Sequence, residues 1–219
     1  MISAPTLVFS PHADDETLGM GGVIHHLRRQ GCPVSVRVFA MSDHQSTRHG
    51  RWIDTEDRRE EFRRAMGALG VDDFEVYGWP EGELDRVPLK ELVTRMDADL
   101  ATVRPASVFY PHPEHHQDHR QVHRAVQAAL RPRFGTPGPQ VFMYEYPYAA
   151  DWPPAVEHAG ELAVRLTAGD AAAKTQAMAA YGSQLSPSFC EHLVEQGRLL
   201  GQRHGASFAE RLWFVRGSV

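Results

Sequence analysis

Short apolar runs alternate with helically patterned stretches along most of this chain, and that alternation restricts its fold more than any other feature. "TLVFS" (Thr6 to Ser10) is a β-rich run stopped by Pro11. Leu18, Val23, Ile24 and Leu27 then share one helical face, and Gly31 stands where a helix C-terminus favours glycine. "PVSVRVFAM" (Pro33 to Met41) returns to strand patterning. Arg58 to Leu69 reads as a helix through Phe62, Ala65, Met66 and Leu69, with Gly70 as its stop. Phe74 to Trp79 is a third strand, Leu89 to Val103 a helix, and Ser107 to Pro111 a fourth strand. A helix from Gln117 to Leu130 and a strand in "PQVFMYEYP" follow. Beyond Ala150 come a strand in "LAVRLT", helices over Ala171 to Tyr181 and Phe189 to His204, and a final apolar "LWFV".

Strands alternating with helices across short connections predict an α/β fold: a Rossmann-like, doubly wound, mostly parallel sheet with helices on both faces. No internal repeat, low-complexity tract or linker interrupts the chain, so residues 1–219 are expected to form a single domain. "SDHQSTRHGRWIDTE" is the exception, polar and without element patterning, and is expected to be a structureless functional loop.

A chain of 219 residues buries a sizeable core without a disulfide staple. Its 23 basic and 28 acidic side chains are mixed, giving a net charge of -5, so nucleic acid is not an expected partner. Cys32 and Cys190 are the only cysteines and read as reduced thiols. The N-terminus lacks the basic and apolar regions of a signal peptide, and no run approaches the ~18 apolar residues of a membrane span. A cytoplasmic location is expected.

Two clusters carry the chemistry. "PHADDE" (Pro11 to Glu16) follows the first strand, and "HPEHHQDH" (His112 to His119) follows the fourth. In a doubly wound sheet the carboxyl ends of strands near the point of strand-order reversal bind ligands, so the two clusters should meet. His12 and Asp15, three apart across a strand-to-helix turn, can converge on one cation and leave Asp14 free. A further imidazole from the second cluster would complete a two-histidine, one-carboxylate set with an open position. Such a cation lowers the pKa of a water to about 7, and a spare carboxylate then serves as general base. The competing reading of "HADDE" is an acidic helix N-terminus, although histidine is not a usual cap.

Five of the thirteen histidines fall between His112 and His123. His115, His119 and His123 stand at i, i+4 and i+8, a clamp if helical; His116 and His119 with Asp118 between them offer another set. His112, at the strand end, is a further candidate, and spacing does not choose among them.

"PHADDETLGMGG" closely resembles the first signature of the LmbE/PIG-L-type zinc-dependent N-acetylglucosaminyl deacetylases, and "HHQDHR" is similar to their second, with Gln117 where proline is common. "RREEFRRAMGALGV" and "KTQAMAAYGSQ" resemble two weaker family marks, so the likeness runs from residue 11 to 184. The resemblance implies that His12, Asp15 and His119 bind zinc, that Asp14 is the general base, and that His116 stabilises the oxyanion with Asp118 orienting it. It implies an N-acyl amino sugar, or a small conjugate containing one, as substrate. The ligand set suits Fe2+ as well as Zn2+.

Arg58 and Glu61 read as an i, i+3 ion pair, and Lys174, Tyr181 and Gln184 as architectural. In the polar loop Asp43, His44, Arg48, Arg51 and Trp52 are candidates to bind or stack on a sugar. Trp79, Tyr146, Tyr148 and Trp152 are candidates for the rim. The expected reaction is hydrolysis of an N-acetyl or other N-acyl group. The alternatives are a non-haem Fe(II) oxygenase using the same three ligands and a sugar-binding module without catalysis.

Overall fold

The structure, a computed structural model, describes residues 2–46, 50–132, 137–146 and 160–217. The chain runs β1 (Thr6–Ser10), α1 (Asp15–Arg29), β2 (Val34–Ala40), β3 (His44–Ser46), β4 (Arg51–Ile53), α2 (Thr55–Leu69) and β5 (Asp73–Trp79). After a 3-10 turn at Leu84–Arg86 come α3 (Leu89–Val103), β6 (Ser107–Pro111), α4 (Gln117–Ala129) and β7 (Gln140–Tyr144). The last part is β8 (Gly160–Leu166), α5 (Ala168–Ala180), α6 (Pro187–Arg203) and β9 (Phe208–Arg216).

Seven strands form one sheet in the order β5-β2-β1-β6-β7-β9-β8. The first five are parallel, and β9 pairs antiparallel with both β7 and β8. This is the mostly parallel α/β architecture expected from the alternation. Alternate residues of the central strands serve opposite faces. Val8, Phe109 and Phe142 pack into one core with α1, α2, α5 and α6, while Leu7, Phe9, Val108, Tyr110 and Met143 pack into another with α3 and α4. Burial on both faces explains why β1, β6 and β7 read as short apolar runs, whereas β2 alternates because Ser35 and Arg37 hold Asp73 of β5. No helix among the described residues is long and apolar enough to cross a membrane.

Two expectations are corrected. The polar loop is not structureless: β3 and β4 pair antiparallel, with His44 opposite Ile53 and Ser46 opposite Arg51. Three-residue strands are too short to display a period of two. Helix α1 also starts earlier than its apolar face, at Asp15, and it is broken at Met20, whose φ of -147° and ψ of 23° are not helical.

That break is built from distant residues. Glu210 of β9 accepts hydrogen bonds from the amides of Gly22 (3.1 Å) and Val23 (2.7 Å). Lys174 of α5 donates to Glu210 and to the carbonyl of Leu18, both at 2.6 Å. In an uninterrupted helix the Gly22 amide would bond that carbonyl. The buried ion pair therefore inserts into the ladder and satisfies both halves. The glycines of "GMGG" permit the close packing: a Cβ on Gly19 would sit 2.4 Å from the Glu145 carbonyl oxygen, and one on Gly22 would sit 2.8 Å from Leu166.

Candidate metal centre

The chain leaves β1 through β2 and β5 on one side of the sheet and through β6 and β7 on the other, so strand order reverses between β1 and β6. The loops following those two strands bring His12 and His119 together across 107 positions of sequence. His12 Nδ1, Asp15 Oδ2 and His119 Nε2 form a nearly equilateral triangle. Its edges are 3.4 Å (His12 to Asp15), 3.3 Å (His12 to His119) and 3.3 Å (Asp15 to His119). A tetrahedral zinc with bonds of about 2.0–2.2 Å has ligand-to-ligand edges of about 3.3–3.6 Å. The three donor atoms thus match one face of such a coordination shell, and their chemistry suits Zn2+ or Fe2+.

A ring nitrogen that binds metal needs its partner nitrogen oriented by an acceptor. For His12 that acceptor is Asp118, whose Oδ2 lies 2.9 Å from Nε2. Asp118 is itself fixed by the amides of Gly82 (2.7 Å) and Leu84 (2.9 Å). These bonds outweigh its burial and hold its carboxyl below the ordinary range. Asp118 does hold His116, but through its backbone amide on Nδ1, while its carboxylate serves His12. His12, His116 and Asp118 also lie close enough to form a second ligand group, but it competes for the same His12–Asp118 bond.

The electrostatics follow from this crowding. Burial disfavours a charged His12, yet Asp118 and Asp15 outweigh it and push its imidazole up to about 10. Burial likewise opposes ionisation of Asp15, but His119 and His12 hold its carboxyl well below the ordinary range. Burial, followed by the charge of Asp15, pushes Asp14 well above it.

Asp14 occupies the N-cap position of α1, but its side chain makes no capping hydrogen bond. The competing reading of "HADDE" holds in part: Asp15 and Glu16 stand in the first turn of α1, but Asp14 does not cap it. His116 caps α4 instead, with Nδ1 accepting from the Asp118 amide at 3.2 Å. In the neutral ring that bond assigns the proton to Nε2, which becomes a donor. Burial and the neighbouring His12 and His119 lower the His116 pKa, favouring this neutral form.

Glu16 is wholly buried and takes hydrogen bonds from Ser10 (3.0 Å), Thr17 (2.7 Å) and Tyr181 (3.1 Å). Arg58 does not pair with Glu61. It donates to Glu81 at 2.5 Å and to the Ser42 carbonyl at 3.1 Å, while Glu61 accepts from Ser183. Glu114, which the sequence reading passed over, is buried, with Oε1 2.8 Å from the His116 amide and 3.3 Å from His119 Nδ1. Its only advance signal is an acidic residue amid histidines.

The remaining candidates divide. Helix α4 starts at Gln117, so exposed His115 lies outside it and the His115–His119–His123 clamp does not form. His112 packs on Trp213, and His123 on Tyr110. Burial, then the charge of His112, lowers His123 to about 4. Asp43 accepts from the Thr55 amide and hydroxyl at 2.6 and 2.5 Å and so anchors the start of α2. His44, Arg51 and Trp52 lie on the β3–β4 hairpin, with Trp52 58% exposed. Trp79 stacks on Phe39 in the fold, whereas Tyr146 stands edge-on to His119 with ring centroids 4.6 Å apart. Arg48, Tyr148 and Trp152 lie outside the described residues.

The family model described as PIG-L, GlcNAc-PI de-N-acetylase, matches residues 7–130. A Bacillus cereus protein named probable N-acetyl-alpha-D-glucosaminyl L-malate deacetylase 2 is 28% identical over 121 residues, covering 50% of this chain. The match spans 55% of that relative's length. Among solved structures, the conserved protein TT1542 from Thermus thermophilus is 25% identical with a TM-score of 0.78, over 99% of this chain and 97% of that one. The zinc inhibited form of teicoplanin deacetylase Orf2 shares the fold at 19% identity and a TM-score of 0.80, over 97% and 98%.

Proposed function

This chain belongs to the PIG-L family, and on that premise we propose that it is a metal-dependent hydrolase. Its substrate would be an N-acetylated, or otherwise N-acylated, amino sugar or a small conjugate containing one. The observation that carries this reading is the triangle of His12 Nδ1, Asp15 Oδ2 and His119 Nε2, with edges of 3.3–3.4 Å, beside an uncommitted carboxylate.

His12, Asp15 and His119 would hold the cation, which when bound polarises the acyl carbonyl and acidifies water. Asp14 accepts the proton from the attacking water at its carboxylate, which no capping bond ties up. His116 donates its Nε2 proton as a hydrogen bond to the acyl oxygen as negative charge gathers there. The proton held on Asp14 then passes to the departing amine nitrogen. Asp118 keeps His12 in the orientation that presents Nδ1. The exposed indole of Trp52 offers a surface on which a sugar ring can stack. Family membership favours this hydrolysis over the oxygenase and binding-module readings.

The test is acetate release from a panel of N-acetylated sugars and sugar conjugates, with the purified protein's metal content measured in parallel. Release that disappears with a chelator and returns with Zn2+ or Fe2+ supports the proposal. A metal-loaded protein that releases no acid from any member, including longer N-acyl derivatives, refutes it.

A further inference from the structure

His119 Nδ1 is buried and makes no well-aligned hydrogen bond, although a carboxylate oxygen, Glu114 Oε1, lies 3.3 Å away. The other nitrogen of this ring, Nε2, is the vertex of the ligand triangle. Coordination through Nε2 requires the imidazole proton to reside on Nδ1, where it needs an acceptor. His12 already has one in Asp118, at 2.9 Å.

We infer that Glu114 is a positioning residue, the carboxylate that orients His119 for metal binding as Asp118 orients His12. The inference rests on the proposed metal centre. Glu114 is placed for the task by the chain itself. It is buried in the loop between β6 and α4, and its Oε1 is already fixed by the His116 amide at 2.8 Å. His119 Nδ1 lies 3.3 Å from that same oxygen. One carboxylate then sets both the ligand histidine and the backbone of the histidine that donates to the acyl oxygen. Each ligand imidazole is then backed by a carboxylate, His12 at Nε2 and His119 at Nδ1, which raises its basicity toward a cation.

Glu114→Gln keeps an oxygen for the His116 amide but removes the charge, and Glu114→Ala removes both. Zinc affinity is measured by chelator competition on wild type, both variants and His119→Ala, with melting of the metal-free proteins recorded alongside. The expected result is a loss of zinc affinity of roughly 10–100-fold in Glu114→Gln, more in Glu114→Ala, with metal-free Glu114→Gln melting as wild type does. Zinc affinity within twofold of wild type in both variants overturns the inference while leaving the metal centre intact, provided His119→Ala loses zinc. Undiminished zinc binding by His119→Ala would instead overturn the metal centre, and the inference with it.

Discussion

Glu210→Ala tests how the first helix is held behind the metal centre. The substitution removes three hydrogen bonds at once: from the Gly22 amide (3.1 Å), the Val23 amide (2.7 Å) and Lys174 (2.6 Å). Glu210 and Lys174 expose only 4% and 5% of their side chains, so water does not readily replace the lost partner. Removing one member of a buried, hydrogen-bonded ion pair costs about 3–5 kcal/mol. At about 2–4 °C per kcal/mol for a chain of this size, the melting temperature should fall by 6–20 °C. Lys174→Met should cost less, about 3 kcal/mol at the lower end of that range, because it removes two hydrogen bonds rather than three, the one to the Leu18 carbonyl included, and Glu210 keeps its two amide donors. Thermal melts of both variants at neutral pH, with chelator and with zinc, supply the comparison. A Glu210→Ala protein melting within 2 °C of wild type, or a Lys174→Met protein melting lower than Glu210→Ala, would refute this account of the break.

Three other outcomes follow from the same contacts. Tyr181→Phe removes the 3.1 Å bond to buried Glu16 and should destabilise the protein by about 1–3 kcal/mol in urea unfolding, with Ser10 and Thr17 still in place. Burial alone would raise the Asp170 carboxyl, but the Thr167 amide and hydroxyl and the His25 imidazole outweigh it and hold it at about 2. Its stabilisation is therefore full above the unfolded value near pH 4 and lost as pH falls toward 2, so the wild-type advantage over Asp170→Asn in melting should shrink across that window. Gln117→Pro loses the bond from the Gln117 side chain to the Gly82 carbonyl (2.9 Å) but places proline at the first position of α4. The two effects should offset to within about 1 kcal/mol by urea unfolding.

What could be read in the sequence was whatever repeats locally. Helix α3 and strand β6 begin and end where the apolar pattern places them, at Leu89–Val103 and Ser107–Pro111. The two clusters after β1 and β6 were legible as one site because strand-order reversal brings such loops together. Pairings between distant segments were not. Nothing in the spacing of "HHQDH" shows that Asp118 turns to His12, 106 positions away, rather than to His116 beside it. Arg58 likewise prefers Glu81 to its helical neighbour Glu61, because Glu61 is taken by Ser183. The α1 break depends on Glu210, which lies 187 positions beyond Val23 and leaves no mark on helical periodicity. The hairpin failed to register because its strands are only three residues long.

The central claim separates two adjacent aspartates into a ligand and a base. Asp14→Asn and Asp15→Asn, prepared in parallel, test it through zinc content and acetate release on the same samples. The account predicts that Asp14→Asn retains one zinc per chain but loses turnover by at least about 100-fold, whereas Asp15→Asn loses the zinc itself. Zinc retained by Asp15→Asn and lost by Asp14→Asn, or full turnover in Asp14→Asn, would contradict it.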